Sequence, residues 1–307
     1  MGNTMNKTTT PGMANKLVVI TGANSGLGYE TARLLAKQHA HVILTGRNQH
    51  KIDAAKQAIV NDYPHARIEA RLLDMADLSS IKRFLDAALR DFKKIDVLIN
   101  NAGVMATPHE KTKDGFELQF GTNHLGHFAL TAQLFPLLKD TPGSRIVTVS
   151  SLAARKGKIH FDDLMFEKQY NRFKAYRQSK LANLMFALEL HSRLKNKNIK
   201  LMSLAAHPGV SKTNLFYSVQ PNVVLKMLGK IMMPIITQPA SKGILPIVKA
   251  ASSDEVQSGE YYGPDKLREW MGKPKPAFIP ASAKNAETRQ RLWDLSEKLT
   301  GMVLLPI

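Results

Sequence analysis

The sequence predicts an α/β fold in which a doubly wound parallel sheet is flanked by helices, and three observations carry that expectation. Short runs rich in β-branched and aliphatic residues alternate with longer segments of helical period. The first run, Leu17-Val18-Val19-Ile20-Thr21, stays apolar without alternation until its last residue, as suits a strand covered on both faces. Glycines follow it at once and open the first helical segment, the arrangement of a strand–loop–helix unit in a parallel sheet. With 307 residues and 44% hydrophobic content the chain can bury one large core, and no repeat or low-complexity linker divides it. A single domain over residues 14–307 is therefore expected.

The elements follow in order. Strand one is expected over 17–21 and a helix over 26–38. Strand two covers 41–45, and Asn48 at its exit is placed to cap a helix reaching residue 59. Strand three covers 67–72, and the helix over 78–91 opens at Asp77. Strand four covers 95–99, and residues 126–138 belong to a long helix. Pro142-Gly143 turns the chain into strand five over 145–149. A helix over 175–194 leads to strand six over 200–205. After Pro208 the pattern loosens, and residues 211–239 mix turns with an amphipathic stretch expected to form a helical lid over the carboxyl edge of the sheet. A helix over 241–251, a short strand at Tyr261-Tyr262-Gly263 and a helix over 285–299 carrying Trp293 complete the chain. Residues 1–13 are mostly polar and Thr-rich, lack the apolar core of a signal peptide, and read as a disordered tail. No run has the length of a membrane-spanning helix: the apolar stretch 223–236 is interrupted by Lys226, Lys230 and Pro234.

Composition removes several chemistries. The chain has no cysteine, which excludes disulfides, thiolate metal sites and cysteine nucleophiles and suits a reducing, cytoplasmic setting. Its 43 Lys and Arg against 25 Asp and Glu leave a formal charge of +18. Those cations are scattered, without a basic–aromatic stripe or zinc-finger spacing, so a solvated basic surface is expected rather than a specific nucleic-acid site. Contact of 215–236 with a membrane surface through Lys226 and Lys230 is a secondary reading. His124 and His127 stand three apart in a helical segment with no carboxylate beside them, and read as structural; no metal site is expected.

The loop Thr21-Gly22-Ala23-Asn24-Ser25-Gly26-Leu27-Gly28 joins the first strand to the first helix. Glycines there allow a tight turn and close backbone approach, and the helix start offers free N–H donors to a pyrophosphate. Strand two ends in Leu44-Thr45-Gly46-Arg47 with no acid before Asp53. A carboxylate at this position would hold a ribose diol and repel a 2′-phosphate, whereas an arginine pairs with the phosphate. NADP(H) is therefore expected over NAD(H), with Ser25 and Asn48 as neutral donors. Tyr176 and Lys180, at i and i+4 of a helix, share one face. A neighbouring ammonium lowers a phenol's pKa and suits it to proton transfer. Alone, this spacing fits an ordinary surface pair equally well.

Taken together these residues resemble the short-chain dehydrogenase/reductase family. The cofactor loop of that family matches Gly22, Gly26 and Gly28, its second motif matches Asn100-Asn101-Ala102-Gly103, and its motif after strand six matches Pro208-Gly209 with Thr213 shortly after. Asn123, Ser151, Tyr176 and Lys180 fall at its catalytic tetrad. The resemblance spans roughly residues 14–265 in the correct order. It leans toward the retinol-dehydrogenase-like branch through Thr122-Asn123-His124-Leu125-Gly126-His127-Phe128, Ser179-Lys180-Leu181-Ala182-Asn183 and His207-Pro208-Gly209-Val210. Light-dependent protochlorophyllide reductases share part of the pattern, and the absence of cysteine argues against them.

The resemblance implies a Rossmann-like fold and a role for each position. Tyr176 would be the general acid/base, Lys180 the residue that depresses its pKa and grips the nicotinamide ribose, Ser151 the hydroxyl that orients the substrate carbonyl, and Asn123 the helix residue that positions a relay water. Ser150 rivals Ser151. Coenzyme contacts would come from Gly22, Asn24, Ser25, Gly26, Leu27 and Gly28, and from Arg47 and Asn48. Asp74 and Met75 would meet the adenine, Asn101, Ala102 and Gly103 the middle of the coenzyme, and Pro208, Gly209, Val210 and Thr213 the carboxamide end. The implied activity is NADP(H)-dependent interconversion of a carbonyl compound and its alcohol. The Val, Leu, Ile and Met content of 215–236 suggests an apolar substrate. A homodimer or homotetramer is implied by resemblance alone. The competing reading is a non-catalytic dinucleotide-binding sensor or scaffold, which has no need to keep Tyr176 and Lys180 together.

Overall fold

A computed structural model describes residues 12–211 and 238–305. Thr213, nearly all of the expected lid and most of the expected amino-terminal tail lie outside the described residues.

Strand β1 (Leu17–Ile20) is buried at every position, as its unbroken apolar run requires. It pairs in parallel with β2 (His41–Gly46) on one side and β4 (Val97–Asn100) on the other. With β3 (Arg67–Leu72), β5 (Arg145–Val149), β6 (Met202–Ala206), β7 (Tyr261–Lys266) and β8 (Met271–Pro276), the sheet runs β3-β2-β1-β4-β5-β6-β7-β8. The chain builds outward from β1 to β3, then returns to the other side of β1. That reversal, between β1 and β4, is the switch point where open α/β sheets leave a crevice at the carboxyl ends of their strands.

Alternate side chains of β1 serve opposite faces. Val18 and Ile20 join one apolar cluster with Leu35 and Ala36 of α1 (Gly26–Lys37). Leu17 and Val19 join another with Phe128, Leu134, Phe186 and Leu190. Helix α2 (Gln49–Asp62) starts at Asn48, whose side chain accepts from the Lys51 N–H, and α3 (Leu78–Asp91) starts at Asp77, which accepts from the N–H groups of Ser79 and Ser80.

Two features depart from the sequence expectation. The helix expected from residue 126 begins earlier, with α4 (Leu118–Phe120), then a π-helical turn over Gly121–Leu125, before α5 (Gly126–Lys139). The widened turn leaves no periodicity signal, and such turns recur at functional sites. Strand β8, Met-Gly-Lys-Pro-Lys-Pro, was not expected at all, because two prolines argue against a strand. It is the edge strand, antiparallel to β7, where a missing N–H donor is tolerated. Helix α6 (Arg172–Asn196) is capped by Asn171 and carries the Tyr-x-x-x-Lys window in its first three turns. Short helices α7 (Ala240–Gly243), α8 (Leu245–Ser252) and α9 (Ala281–Lys284) precede α10 (Ala286–Thr300), whose Trp293 packs against Phe128 and Phe186. Among the described residues no helix is long and apolar enough to cross a membrane.

Candidate active site

Thr21, directly after β1, organises the crevice. Its Oγ1 accepts from the N–H groups of Asn101 at 2.8 Å and Ala102 at 2.9 Å, and Asn101 Nδ2 returns a bond to the Thr21 carbonyl at 2.8 Å. The loops after β1 and β4 are thereby fixed to each other. The glycines between them have no room for side chains. Gly22 has φ +64°, and a Cβ there would lie 2.9 Å from Ala102 Cα; a Cβ on Gly28 would lie 2.3 Å from the Gly22 carbonyl oxygen. Ser25, exposed at the start of α1, makes no side-chain cap, so the first N–H groups of that helix keep their donors for an anion. Leu27 anchors the same turn by burial, and the Asn24 amide sits beside Gly46. This cradle, tight where a side chain would intrude and rich in free donors, fits the pyrophosphate of a dinucleotide.

At the end of β2, Arg47 is exposed and makes no ion pair with any described residue. Asn48 Oδ1 accepts from the Lys51 N–H at 3.0 Å, which orients the side chain and leaves its Nδ2 hydrogens to donate to a ligand. After β3, Asp74 is half-buried and one carboxylate oxygen accepts from the Ala76 N–H at 2.9 Å. Met75 is buried, and its carbonyl presses on Gly126 so closely that a Cβ there would stand 2.3 Å away.

The chemistry-bearing side chains meet at the carboxyl ends of β4 and β5. Tyr176 of α6 stands by Ser151, just past β5, whose side chain acts on the phenol. Lys180 is buried one turn further on, and its Nζ donates to the Val149 carbonyl at 3.1 Å, an oxygen that also accepts from Asn183 Nδ2 at 3.1 Å. Burial lowers the Lys180 ammonium to about 8. The sequence reading expected this ammonium to pull the phenol down. Instead burial pushes Tyr176 up and the Ser151 side chain only partly opposes it, while the lysine is turned to the Val149 carbonyl. Ser150 is committed elsewhere: its hydroxyl donates to the Lys180 carbonyl at 2.7 Å. Ser151 keeps its face toward Tyr176.

Asn123 lies in the π-helical turn with its side chain fully engaged. Oδ1 accepts from the Val104 N–H at 2.8 Å, and Nδ2 donates to the Val104 carbonyl and to Ser179 Oγ, each at 2.9 Å. It therefore pins the loop after β4 to α6. Gly103 sits between the two, where a Cβ would be 3.1 Å from Asn123 Oδ1 and 3.5 Å from Lys180 Nζ. The Asn123 carbonyl accepts from His127 Nδ1 at 2.8 Å, and the other ring nitrogen meets Thr21 Oγ1 at 2.8 Å. Thr21 Oγ1 already accepts two N–H bonds, so its proton goes to His127 Nε2, which fixes the Nδ1–H tautomer. Burial holds this imidazole at about 4, hence neutral. His124 bonds Ser296 Oγ at 2.9 Å and is pushed to about 3 by burial. Both histidines are structural, and no group of residues suited to a metal ion occurs among the described residues.

Beyond β6, Gly209 takes φ +65° and the Val210 N–H donates to the Trp270 carbonyl at 2.8 Å. Gln238 Nε2 and Ser211 Oγ both donate to the Pro208 carbonyl, at 3.0 and 2.8 Å. Trp270 and its neighbour Glu269 were absent from the sequence reading, since a turn of mixed charged and aromatic residues has no motif to flag it.

Residues 16–223 match the family model for short chain dehydrogenase. Retinol dehydrogenase 12 of Mus musculus is 39% identical over 297 residues, covering 96% of this chain and 89% of that protein. Retinol dehydrogenase 14 of Homo sapiens is 38% identical over 306 residues, covering 95% and 88%. A crystal structure of an uncharacterized protein from Mycobacterium paratuberculosis matches with TM-score 0.80 and 42% identity over 97% of this chain and 98% of that one. A short chain dehydrogenase from Shigella flexneri, complexed with NADP, matches in fold with TM-score 0.64 at 21% identity, over 82% of this chain and 98% of its own. The ordered motifs, the sheet order and these likenesses together make the chain a member of the short-chain dehydrogenase family of oxidoreductases, similar to its retinol dehydrogenases.

Proposed function

We propose that the protein is an NADP(H)-dependent oxidoreductase that interconverts an apolar aldehyde or ketone and its alcohol. The observation that carries this reading is the pairing of Tyr176 with Ser151 just past β5, with buried Lys180 one helical turn further on and its Nζ beside Gly103. NADP(H), when bound, supplies the hydride chemistry. The chain's own task is to orient a carbonyl and manage one proton. Ser151 donates to the carbonyl oxygen and holds it beside the phenol. Tyr176, kept protonated at neutral pH by its burial, donates its proton to that oxygen as it gains charge. In the reverse direction the same phenol, as its anion, takes the proton from the alcohol.

Arg47 supports the choice of coenzyme. An exposed guanidinium with no ion pair among the described residues is available to a 2′-phosphate, and no acid stands beside it to hold a diol. The name of the relatives and the apolar composition of 215–236 support an apolar substrate.

The test is single-turnover oxidation of NADPH and of NADH against aldehydes and ketones of graded chain length, with alcohols in the reverse direction. Turnover that prefers NADPH and improves with chain length is expected. Tight coenzyme binding without turnover of any compound would make the protein a sensor or scaffold instead.

A further inference from the structure

The hairpin joining β7 to β8 contains three consecutive non-glycine residues in the left-handed region: Leu267 at φ +50°, Arg268 at +55° and Glu269 at +70°. L-residues resist this conformation, and a run of three survives only where surrounding contacts over-determine it. The contacts here converge on one side chain. Glu269 is buried, with Oε2 accepting from His207 Nε2 at 2.9 Å and from the Arg155 guanidinium at 2.5 Å, while Oε1 accepts from the Phe278 N–H at 2.9 Å. Arg155 also donates to the Arg268 carbonyl at 3.2 Å. Burial works against the Glu269 charge, but the bonds from His207 and Phe278 and the charge of Arg155 outweigh it and hold the carboxyl at about 2.

Both cationic and imidazole partners come from loops of the site. Arg155 lies in the 3-10 turn Leu152–Lys156, which starts immediately after Ser151. His207 follows β6 and leads into Pro208-Gly209-Val210. Its Nε2–H is given to Glu269, and its Nδ1 accepts the Gly209 N–H at 3.2 Å, so one ring fixes both carboxylate and loop. The hairpin closes the circuit where the Val210 N–H meets the Trp270 carbonyl at 2.8 Å. Gly209 is compressed against that carbonyl, which a Cβ would approach to 2.2 Å.

We infer that Glu269 is a positioning residue that clamps the Ser151 turn and the Pro208–Val210 loop at a fixed separation, holding the substrate side of the crevice in register with the carboxamide side of the coenzyme. The inference rests on the oxidoreductase reading of the site. The Glu269 carboxylate is spent on Arg155, His207 and the Phe278 N–H, and it acts through the first two. The phosphates of a coenzyme would be held at the start of α1, away from this hairpin, so the clamp would govern ring placement rather than overall affinity.

Glu269→Gln keeps the shape and points an amide at donors. Its expected signature has three parts: NADPH affinity within about twofold of wild type, Val210 and Phe278 amides exchanging with solvent at least about tenfold faster while β1 amides are unchanged, and kcat lowered about ten- to hundredfold, the scale of a misplacement near one ångström. The fluorescence of bound NADPH, which reports the ring without turnover, shifts toward that of free coenzyme. Should the variant fail to fold, Arg155→Gln cuts one arm of the clamp and is expected to show the same signature more weakly. Unchanged Val210 exchange overturns the clamp. Faster exchange with unaltered ring fluorescence overturns the positioning role, as does a kcat loss that only tracks global unfolding. Wild-type protein inactive on every carbonyl compound would instead remove the oxidoreductase reading, leaving exchange and ring fluorescence to judge the clamp.

Discussion

At the residue scale, two adjacent hydroxyls and a phenol separate chemistry from support. Ser150 spends its hydroxyl on the Lys180 carbonyl, whereas the Ser151 side chain acts on the Tyr176 phenol. Tyr176→Phe removes the proton donor and leaves the ring, so turnover should fall by about 10²–10⁴-fold with coenzyme affinity near wild type; steady-state kinetics with binding titration decide this, and full activity would end the acid/base role. Ser151→Ala should likewise lower kcat. Ser150→Ala should mainly cost stability, about 1–3 kcal/mol, because it strands buried partners. A melt of Ser150→Ala at wild-type temperature, with its activity lost, would reverse the two assignments. The Tyr176–Lys180 pair was legible from its helical spacing, and Ser151 was legible only through the family resemblance. The orientation of the Lys180 ammonium toward Val149 was not, since a main-chain acceptor from another strand leaves no trace in sequence.

At the element scale, the strand–loop–helix start and the π-helical turn make different demands. The start of α1 is legible from its glycines, and the contacts say which one tolerates least. Gly28→Ala would push a methyl to 2.3 Å from the Gly22 carbonyl and 2.6 Å from Asn101 Nδ2, both held by the Thr21 network. A destabilisation of about 1–3 kcal/mol and loss of NADPH binding are expected, read by thermal melt and titration; normal binding would mean the loop yields. The π-helical turn was invisible to periodicity, yet it and the first turn of α5 carry two buried neutral histidines. Burial lowers His124 to about 3 and His127 to about 4 from an ordinary 6.5. Between pH 6.5 and 4 the unfolded chain binds protons that the folded chain refuses. Stability is therefore complete above the unfolded value and is lost as pH falls, by up to about 1.4 kcal/mol per pH unit for each histidine. Denaturant melts from pH 7 to 4 should show this slope, and His124→Phe should remove part of it. A slope unchanged in that variant would place the acid sensitivity elsewhere.

On the scale of the whole molecule, the parallel sheet was legible because each strand is a run and each crossover a helix, while β8 was hidden by the prolines that an edge position tolerates. Charge is the other global property. Much of the acid content is already paired, as in Lys16 and Lys94 with Asp96, Arg71 with Glu69 and Asp91, and Arg155 with Glu269. The surplus of +18 is therefore carried by cations spread over the surface, a long-range field rather than a patch. Such a field acts on any anion in proportion to its charge and is screened within about 10 Å at 0.1 M salt. NADPH carries the extra 2′-phosphate, and on the proposed reading Arg47 would supply a local contact to it. Raising salt from low to high should then weaken NADPH binding more steeply than NADH binding. Arg47→Asp should lower NADPH affinity by about ten- to hundredfold, the worth of one charge-assisted bond, with little change for NADH, and should flatten the difference between the two salt slopes. Titrations of both coenzymes across a salt series, in wild type and variant, separate the local contact from the field. Equal losses for NADPH and NADH in the variant would remove Arg47 from the 2′-phosphate site, and parallel salt slopes in the wild type would leave the basic surface without a part in coenzyme capture.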